Sequence, residues 1–102
     1  MQALLGNWRP KRIAHQSLTA ARVHLAAHEL DAASDLLARA LECLEETGAR
    51  VIEPFVRVEM AELARLRGDD AVRRAELAAA QQLFTQFDAP DRAATIAAKL
   101  AA

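Results

Sequence analysis

The sequence has few of the residues that most folds use as breaks, cross-links or anchors. It contains no Tyr, one Trp, one Cys, and three each of Gly and Pro. A single Cys excludes an internal disulfide, which is typical of a reducing compartment. No apolar run approaches the roughly 20 residues that a membrane-spanning helix needs, and the first residues become polar too soon for a signal peptide. We therefore expect a cytoplasmic protein.

An excess of charge of one sign is also lacking. The chain has 13 basic and 14 acidic residues and a net charge of −1, whereas a nucleic-acid binder needs a basic face and a high pI. The sequence has no Gly-rich phosphate loop and no Ser, His and Asp in the order and strand context of a hydrolase. We therefore expect no enzyme activity and no cofactor. We also expect no contact with nucleic acid or membrane through this segment.

What the sequence does contain is helix-forming residues. Alanine makes up about a quarter of the 102 residues, enough for one domain, and the few Gly and Pro residues stand at segment edges. Apolar residues recur at helical spacing, as in Ala33, Leu36, Leu37 and Ala40. We predict an irregular lead-in over 1–10 and a helical domain over 11–102. Its helices are expected at 11–27, 31–47, 54–67, 70–87 and 90–101.

The residues at the predicted helix ends support these bounds. Asp31 is expected to be the N-cap of the second helix, and Gly48 to close that helix in a left-handed conformation. Pro54 suits the first position of the third helix. Gly68 and Asp69 are typical of a turn that ends one helix and precedes the cap of the next.

The chain also nearly repeats itself after 40 positions. Aligning Gly48 with Asp88 gives this shift. The same shift pairs Ala21 with Ala61, Leu37 with Leu77, Ala40 with Ala80, and Leu44 with Phe84. A period of 20 to 50 residues is the mark of a solenoid built from one stacked unit. We therefore predict an all-α fold of antiparallel hairpins, 11–47 and 54–87, stacked as a short solenoid with a capping helix at 90–101. Solenoids of this kind bind other proteins more often than they catalyse reactions.

Small residues stand where the helices of each hairpin would pack, next to polar turns. They are Ala21, Ala33 and Ala40 before and after the His28-Glu29 turn, and Ala61 and Ala80 around Gly68-Asp69. Over about residues 14–100 this pattern resembles tetratricopeptide repeats. The stretch 45–54 and the stretch 66–69 are similar to repeat arrays at the ends of bacterial LuxR-type regulators and class III nucleotide cyclases. The resemblance implies a non-catalytic protein–protein interaction module, the C-terminal part of a bacterial regulatory or sensor protein.

In that family, partners bind a concave groove lined by the first helix of each hairpin. Matching the turns implies that the groove is lined by His15, Leu18, Arg22 and Leu25 of the first hairpin, and by Phe55, Val58, Glu62 and Arg65 of the second. A mixture of apolar and charged groups suits an extended peptide or a partner helix. The alternative is that a neighbouring repeat or a second copy of the chain buries some of these residues.

Three other interpretations remain open. The chain could be a self-associating helical bundle that forms a homodimer through its first helix. It could be a plain four-helix bundle, in which the first helix packs on the fourth as well as on the second. It could also be an accessory domain of a signalling enzyme such as a nucleotide cyclase.

Isolated reactive residues are better explained by structural roles. His24 and His28 are four positions apart, as two metal ligands on a helix would be, but no acidic residue lies between them and the HExxH context is missing. Cys43 lies near Glu42 and Glu45, whose charges would raise the pKa of its thiol. We predict no metal site and a structural Cys.

Overall fold

The computed structural model describes the backbone of residues 2–48 and 50–101, and the side chains of residues 13–46, 48 and 50–101. In these residues the chain forms five α-helices and no strand. They are α1 (Gln2–Ala26), α2 (Leu30–Thr47), α3 (Glu53–Arg67), α4 (Asp70–Gln86) and α5 (Pro90–Ala101). The prediction of an all-α fold is confirmed.

Most of the predicted helix ends are confirmed by their local geometry. Gly48 follows α2 with φ 69°, and its N–H donates to the Leu44 carbonyl. Pro54 lies in the first turn of α3, where its missing N–H has no helical partner to lose. Asp69 is the N-cap of α4, where its carboxylate accepts a hydrogen bond from the Val72 N–H at 3.2 Å.

Two predicted ends are wrong. Helix α2 begins at Leu30 and has Glu29, not Asp31, at its N-cap. The Asp31 carboxylate instead accepts a hydrogen bond at 3.1 Å from Arg67 at the end of α3. Helix α1 begins at Gln2 and therefore includes the segment that we expected to be irregular. Pro10 lacks the N–H of one helical hydrogen bond, but α1 continues through it.

The left-handed residues recur every 20 positions. His28, Gly48, Gly68 and Asp88 have φ values of 59°, 69°, 77° and 56°, and they are the positive-φ positions of the described residues. A left-handed residue after a helix ends the helix and turns the chain back. The 40-residue sequence period therefore corresponds to two such turns.

Three of these turns share one hydrogen-bond pattern. The residue after each left-handed position donates its N–H to a carbonyl five residues earlier. The donors are Glu29 at 2.8 Å, Asp69 at 2.9 Å and Ala89 at 2.8 Å. The left-handed residue itself donates to a carbonyl three residues earlier. This arrangement satisfies carbonyls that the helix end would otherwise leave unpaired.

The apolar core has two parts that meet at α3. The first part contains side chains of α1 and α2 with Ile52, Val56 and Leu63. The second contains Ala61 of α3 with side chains of α4 and α5. Phe55 packs against both parts. Helix α3 therefore connects the two halves of the molecule.

Each helix packs against the next helix along the chain, and α1 also contacts α3. In the described part of the chain α1 does not pack against α4, as it would in the plain four-helix bundle considered above. The molecule measures 48 × 33 × 17 Å and has a radius of gyration of 14.0 Å, against about 13 Å for a compact domain of this length. The helices thus form a flat, slightly elongated array.

Candidate binding face

A shallow groove runs along α3, with α1 on one side and α5 on the other. It consists of three adjoining cavities of about 400, 350 and 180 Å³. We call it the α3 groove. Its principal lining residues are Arg22 of α1, Phe55, Val58, Glu59, Glu62 and Arg65 of α3, Arg73 of α4, and Arg92, Thr95 and Lys99 of α5.

The cavities are continuous because they share side chains. Val58 and Lys99 line both the largest and the smallest cavity. Arg22 lines the smallest cavity together with Lys99, so α1 and α5 approach one depression from opposite sides. Both helices can therefore contact the same bound molecule.

The α3 groove contains an ion pair between Glu62 and Arg65. The Arg65 Nε donates to the Glu62 carboxylate at 3.0 Å, and the Arg65 Nη2 donates to its second oxygen. This hydrogen bonding lowers the pKa of Glu62. Burial raises that pKa in part, but the positive charges of Arg65, Lys99 and Arg73 lower it further. The Glu62 carboxylate is therefore ionised and surrounded by cations at neutral pH.

A second ion pair joins the groove to α1. The Arg22 Nε lies 3.6 Å from a carboxylate oxygen of Glu59, whose side chain is largely buried. Arg22 belongs to α1 and Glu59 to α3, so this contact crosses the interface between the two hairpins. It places a cation at the α1 rim of the groove.

The apolar part of the α3 groove is organised around Phe55. The Phe55 and Phe84 rings meet edge to face, with centroids 5.3 Å apart. The guanidinium of Arg92 lies over the Phe55 ring at 4.8 Å from its centroid, a distance suitable for a cation–π interaction. Phe55 and Val58 remain half-buried, so the groove floor retains an apolar surface that a ligand can cover.

The structure places six of the eight predicted groove residues along this groove. Arg22, Phe55, Val58, Glu62 and Arg65 line it, and Leu25 contributes to its floor while being only 5% exposed. Leu18 is 4% exposed and belongs to the first part of the core. His15 is exposed but lines none of the three cavities.

Leu18 is therefore a packing residue and is not accessible to a partner in this arrangement. The sequence pattern treated the first helix of each hairpin alike, but α1 packs against α3 at this point. Leu18 and Leu25 are buried in the core that α1 shares with α2 of the same hairpin and with α3 of the next.

The sequence interpretation missed the contribution of α5. It assigned this helix only a capping role, whereas Arg92, Thr95 and Lys99 line the α3 groove. The three residues are spaced i, i+3 and i+7, which places them on one face of a helix. This spacing was visible in the sequence, but nothing in the sequence indicated that the face turns toward α3.

The isolated reactive residues occupy structural positions. His24 Nδ1 lies 3.2 Å from a Glu29 carboxylate oxygen, and His28 holds a left-handed turn position. Cys43 is buried, as predicted. Burial raises the pKa of the Cys43 thiol. The negative charges of Glu46 and Glu42 raise this pKa further, and the positive charge of Arg39 lowers it in part.

The described residues contain neither a metal site nor a membrane-spanning helix. No group of three or more His, Cys, Asp or Glu side chains is arranged to hold a metal ion. None of the helices in this part of the chain is long and apolar enough to cross a membrane.

Comparison with known proteins adds no relative. No family model, no curated protein and no solved structure matches the chain.

Proposed function

We propose that this chain is a non-catalytic protein–protein interaction module of the tetratricopeptide type, which binds a partner protein or peptide in the α3 groove. The observation that carries the proposal is the groove itself. It is continuous across α1, α3 and α5, and it combines a half-buried apolar floor with charged rims. Partner segments bind to surfaces of this kind through apolar anchors and peripheral charges.

The repeated geometry supports the tetratricopeptide assignment. Helices α2 and α4 begin 40 positions apart, at Leu30 and Asp70. The left-handed turn positions follow the same period, and the flat shape leaves one side of α3 open to solvent. Left-handed turns that recur every 20 positions bring α1, α3 and α5 to the same side of the array, which is the arrangement that a shared groove requires.

The wider biological role rests on the sequence resemblance alone. By analogy with LuxR-type regulators, the module belongs to a bacterial regulatory or sensor protein and acts in the cytoplasm. Fold-level analogy supports a role less strongly than a site does, so the groove is the part of the proposal to test first.

Site-specific photo-crosslinking tests the groove directly. A benzophenone amino acid replaces Arg65 in the groove or Ala78, an exposed residue of α4 outside the three cavities. We expect irradiation in cells of the source organism to give discrete protein adducts from position 65 and few from position 78. Equal yields from the two positions, or adducts from position 78 alone, would contradict the proposal.

One observation favours self-association as a second candidate. Val23 on α1 is 64% exposed, although α1 is a core helix of the first hairpin. A second copy of the chain could cover this surface. Size-exclusion chromatography with light scattering over a hundredfold concentration range distinguishes the two: a monomer favours a free groove, and a dimer that Val23→Glu dissociates favours self-association.

A further inference from the structure

The α3 groove carries more positive than negative charge. Its lining includes five basic side chains, Arg22, Arg65, Arg73, Arg92 and Lys99, and two acidic ones, Glu59 and Glu62. The groove therefore has a surplus of three positive charges, whereas the whole chain has a net charge of −1. The charge is concentrated where the depression lies.

The two carboxylates are already paired within the molecule. Glu62 accepts hydrogen bonds from Arg65, and Glu59 lies beside Arg22 at 3.6 Å. Arg73 donates to the Lys99 carbonyl at 2.8 Å and to Asp70. Three of the five cations thus have acidic partners in the chain.

Arg92 and Lys99 differ from the other three. Neither side chain forms an ion pair with any side chain that the structure describes, and both lie on the α5 wall of the groove. The guanidinium of Arg92 lies 4.8 Å from the centroid of the Phe55 ring, and its fork of N–H donors suits a carboxylate acceptor. Together the two side chains offer positive charge next to the apolar floor at Phe55 and Val58, and the charge of Lys99 also acts on the nearby Glu62 carboxylate.

We propose that the α3 groove binds an acidic segment of a partner protein, which places an apolar side chain against Phe55 and Val58 and carboxylates against Arg92 and Lys99. This inference rests on the proposed function and specifies its ligand. An apolar side chain fits the floor, and separate carboxylates fit cations on one wall. A continuous phosphate backbone fits less well, because the carboxylates of Glu59 and Glu62 lie among the cations of the groove.

The test uses a displayed library of random dodecapeptides, selected against the whole chain. We expect the selected peptides to be enriched in Asp and Glu around an apolar residue. A selected peptide is then synthesised with a fluorescent label, and its affinity is measured by fluorescence anisotropy. For the double variant Arg92→Glu/Lys99→Glu, we expect the affinity to fall at least about tenfold because two attractions become repulsions.

A matched control has the same change in net charge elsewhere. The double variant Arg39→Glu/Arg67→Glu alters exposed residues that line none of the three cavities, and we expect it to change the affinity less than about twofold. Circular dichroism establishes that both variants are folded. If the first variant is unfolded, Arg92→Gln/Lys99→Gln replaces it, with an expected loss of about threefold.

The outcomes separate this inference from the proposed function. Peptides bind in the groove if the Arg65→Glu and Phe55→Leu variants bind them more weakly than the wild type does. Groove-binding peptides that lack acidic enrichment would overturn the inference and leave the proposed function standing. Peptides that bind independently of both groove variants would overturn both. Tighter binding of a labelled oligothymidine than of any acidic peptide, with the same loss on charge reversal, would overturn the inference in favour of a nucleic acid.

Discussion

The two hairpins share one backbone plan but differ in what joins their helices. In the second hairpin, Arg57 of α3 donates hydrogen bonds to Glu76 of α4, the shorter at 3.1 Å, and also to Glu53. Forty positions earlier, the first hairpin has Ser17, which is buried, and Leu36, which is half-buried. The same turn geometry therefore tolerates either an ion-paired or a largely uncharged interface.

What the hairpins keep in common explains this tolerance. Leu37 and Leu77 are 1% and 3% exposed, and Ala40 and Ala80 are fully buried. In each hairpin the small Ala side chain permits the two helices to approach closely, and Leu fills the space beside it. The variable pair, Ser17 and Leu36 in one hairpin and Arg57 and Glu76 in the other, accompanies these shared Leu and Ala positions.

A second difference concerns the face toward the groove. Leu25 of α1 is 5% exposed, whereas the side chain of Arg65, 40 positions later on α3, is 57% exposed. Leu25 packs into the core that α1 shares with α2 and α3. The same face of α3 borders the groove, so the equivalent position can hold a charge.

The largest expected effect is at the shared Ala contacts. Ala40→Glu and Ala80→Glu each introduce a bulky charge at a fully buried site, and we expect each to lower the free energy of unfolding by about 3 kcal/mol or more. Urea denaturation followed by circular dichroism measures the loss. Ala38→Glu and Ala78→Glu, at exposed positions, are the controls, and equal effects at buried and exposed positions would contradict the shared packing.

Replacing the ion pair with the residues of the first hairpin tests the variable interface. Arg57→Ser leaves the largely buried Glu76 carboxylate without its partner, and we expect a loss of about 1–3 kcal/mol. Adding Glu76→Leu removes the unpaired carboxylate and should recover about half of that loss. A double-mutant cycle in urea measures the coupling, and a double variant whose cost equals the sum of the single costs would refute it.

Arg57 also has a defined titration behaviour. Burial lowers the pKa of its guanidinium, but the hydrogen bond and charge of Glu76, and then those of Glu53, outweigh that effect and raise it. Arg57 is therefore charged throughout the neutral and moderately alkaline pH range. The cost of Arg57→Ser should accordingly be constant between neutral and moderately alkaline pH.

The turns allow a smaller, paired test. We expect Gly68→Ala to cost about 1 kcal/mol, because φ is 77° there and an added Cβ meets no atom within 4 Å. At the equivalent position of the first hairpin, we expect His28→Gly to stabilise the fold by about 0.5 kcal/mol by relieving the left-handed strain. Thermal denaturation measures the change in stability for both variants. If His28→Gly destabilises the fold, the contacts of the His28 side chain contribute more to stability than the left-handed backbone costs.

The smallest expected effect is the acid sensitivity of the groove. The pKa of Glu62 is lowered in the folded state by Arg65, so its stabilising contribution is present above the ordinary value of 4.5 and is lost as the pH falls below it. We expect Glu62→Gln to lose less stability than the wild type between about pH 6 and about pH 3. Glu45→Gln is the control for removing one exposed carboxylate, and identical acid profiles for Glu62→Gln and the wild type would contradict the expectation.

The sequence alone determined the local structure. Gly48, Gly68 and Asp69 indicated where helices end and begin, because a left-handed conformation and a side-chain cap depend on the residue itself and its nearest neighbours. The 40-residue period and the helical spacing of apolar residues followed in the same way. These features depend on contacts a few residues apart, which a linear pattern records.

The tertiary structure decided which faces meet. It buried Leu18, brought Arg92 and Lys99 of α5 to the groove, and paired Asp31 with Arg67 instead of using it as a cap. These outcomes depend on how α1, α3 and α5 lie beside one another. That arrangement results from the packing of side chains distant in sequence, and the periodicity of a single helix carries no information about which neighbour covers each of its faces.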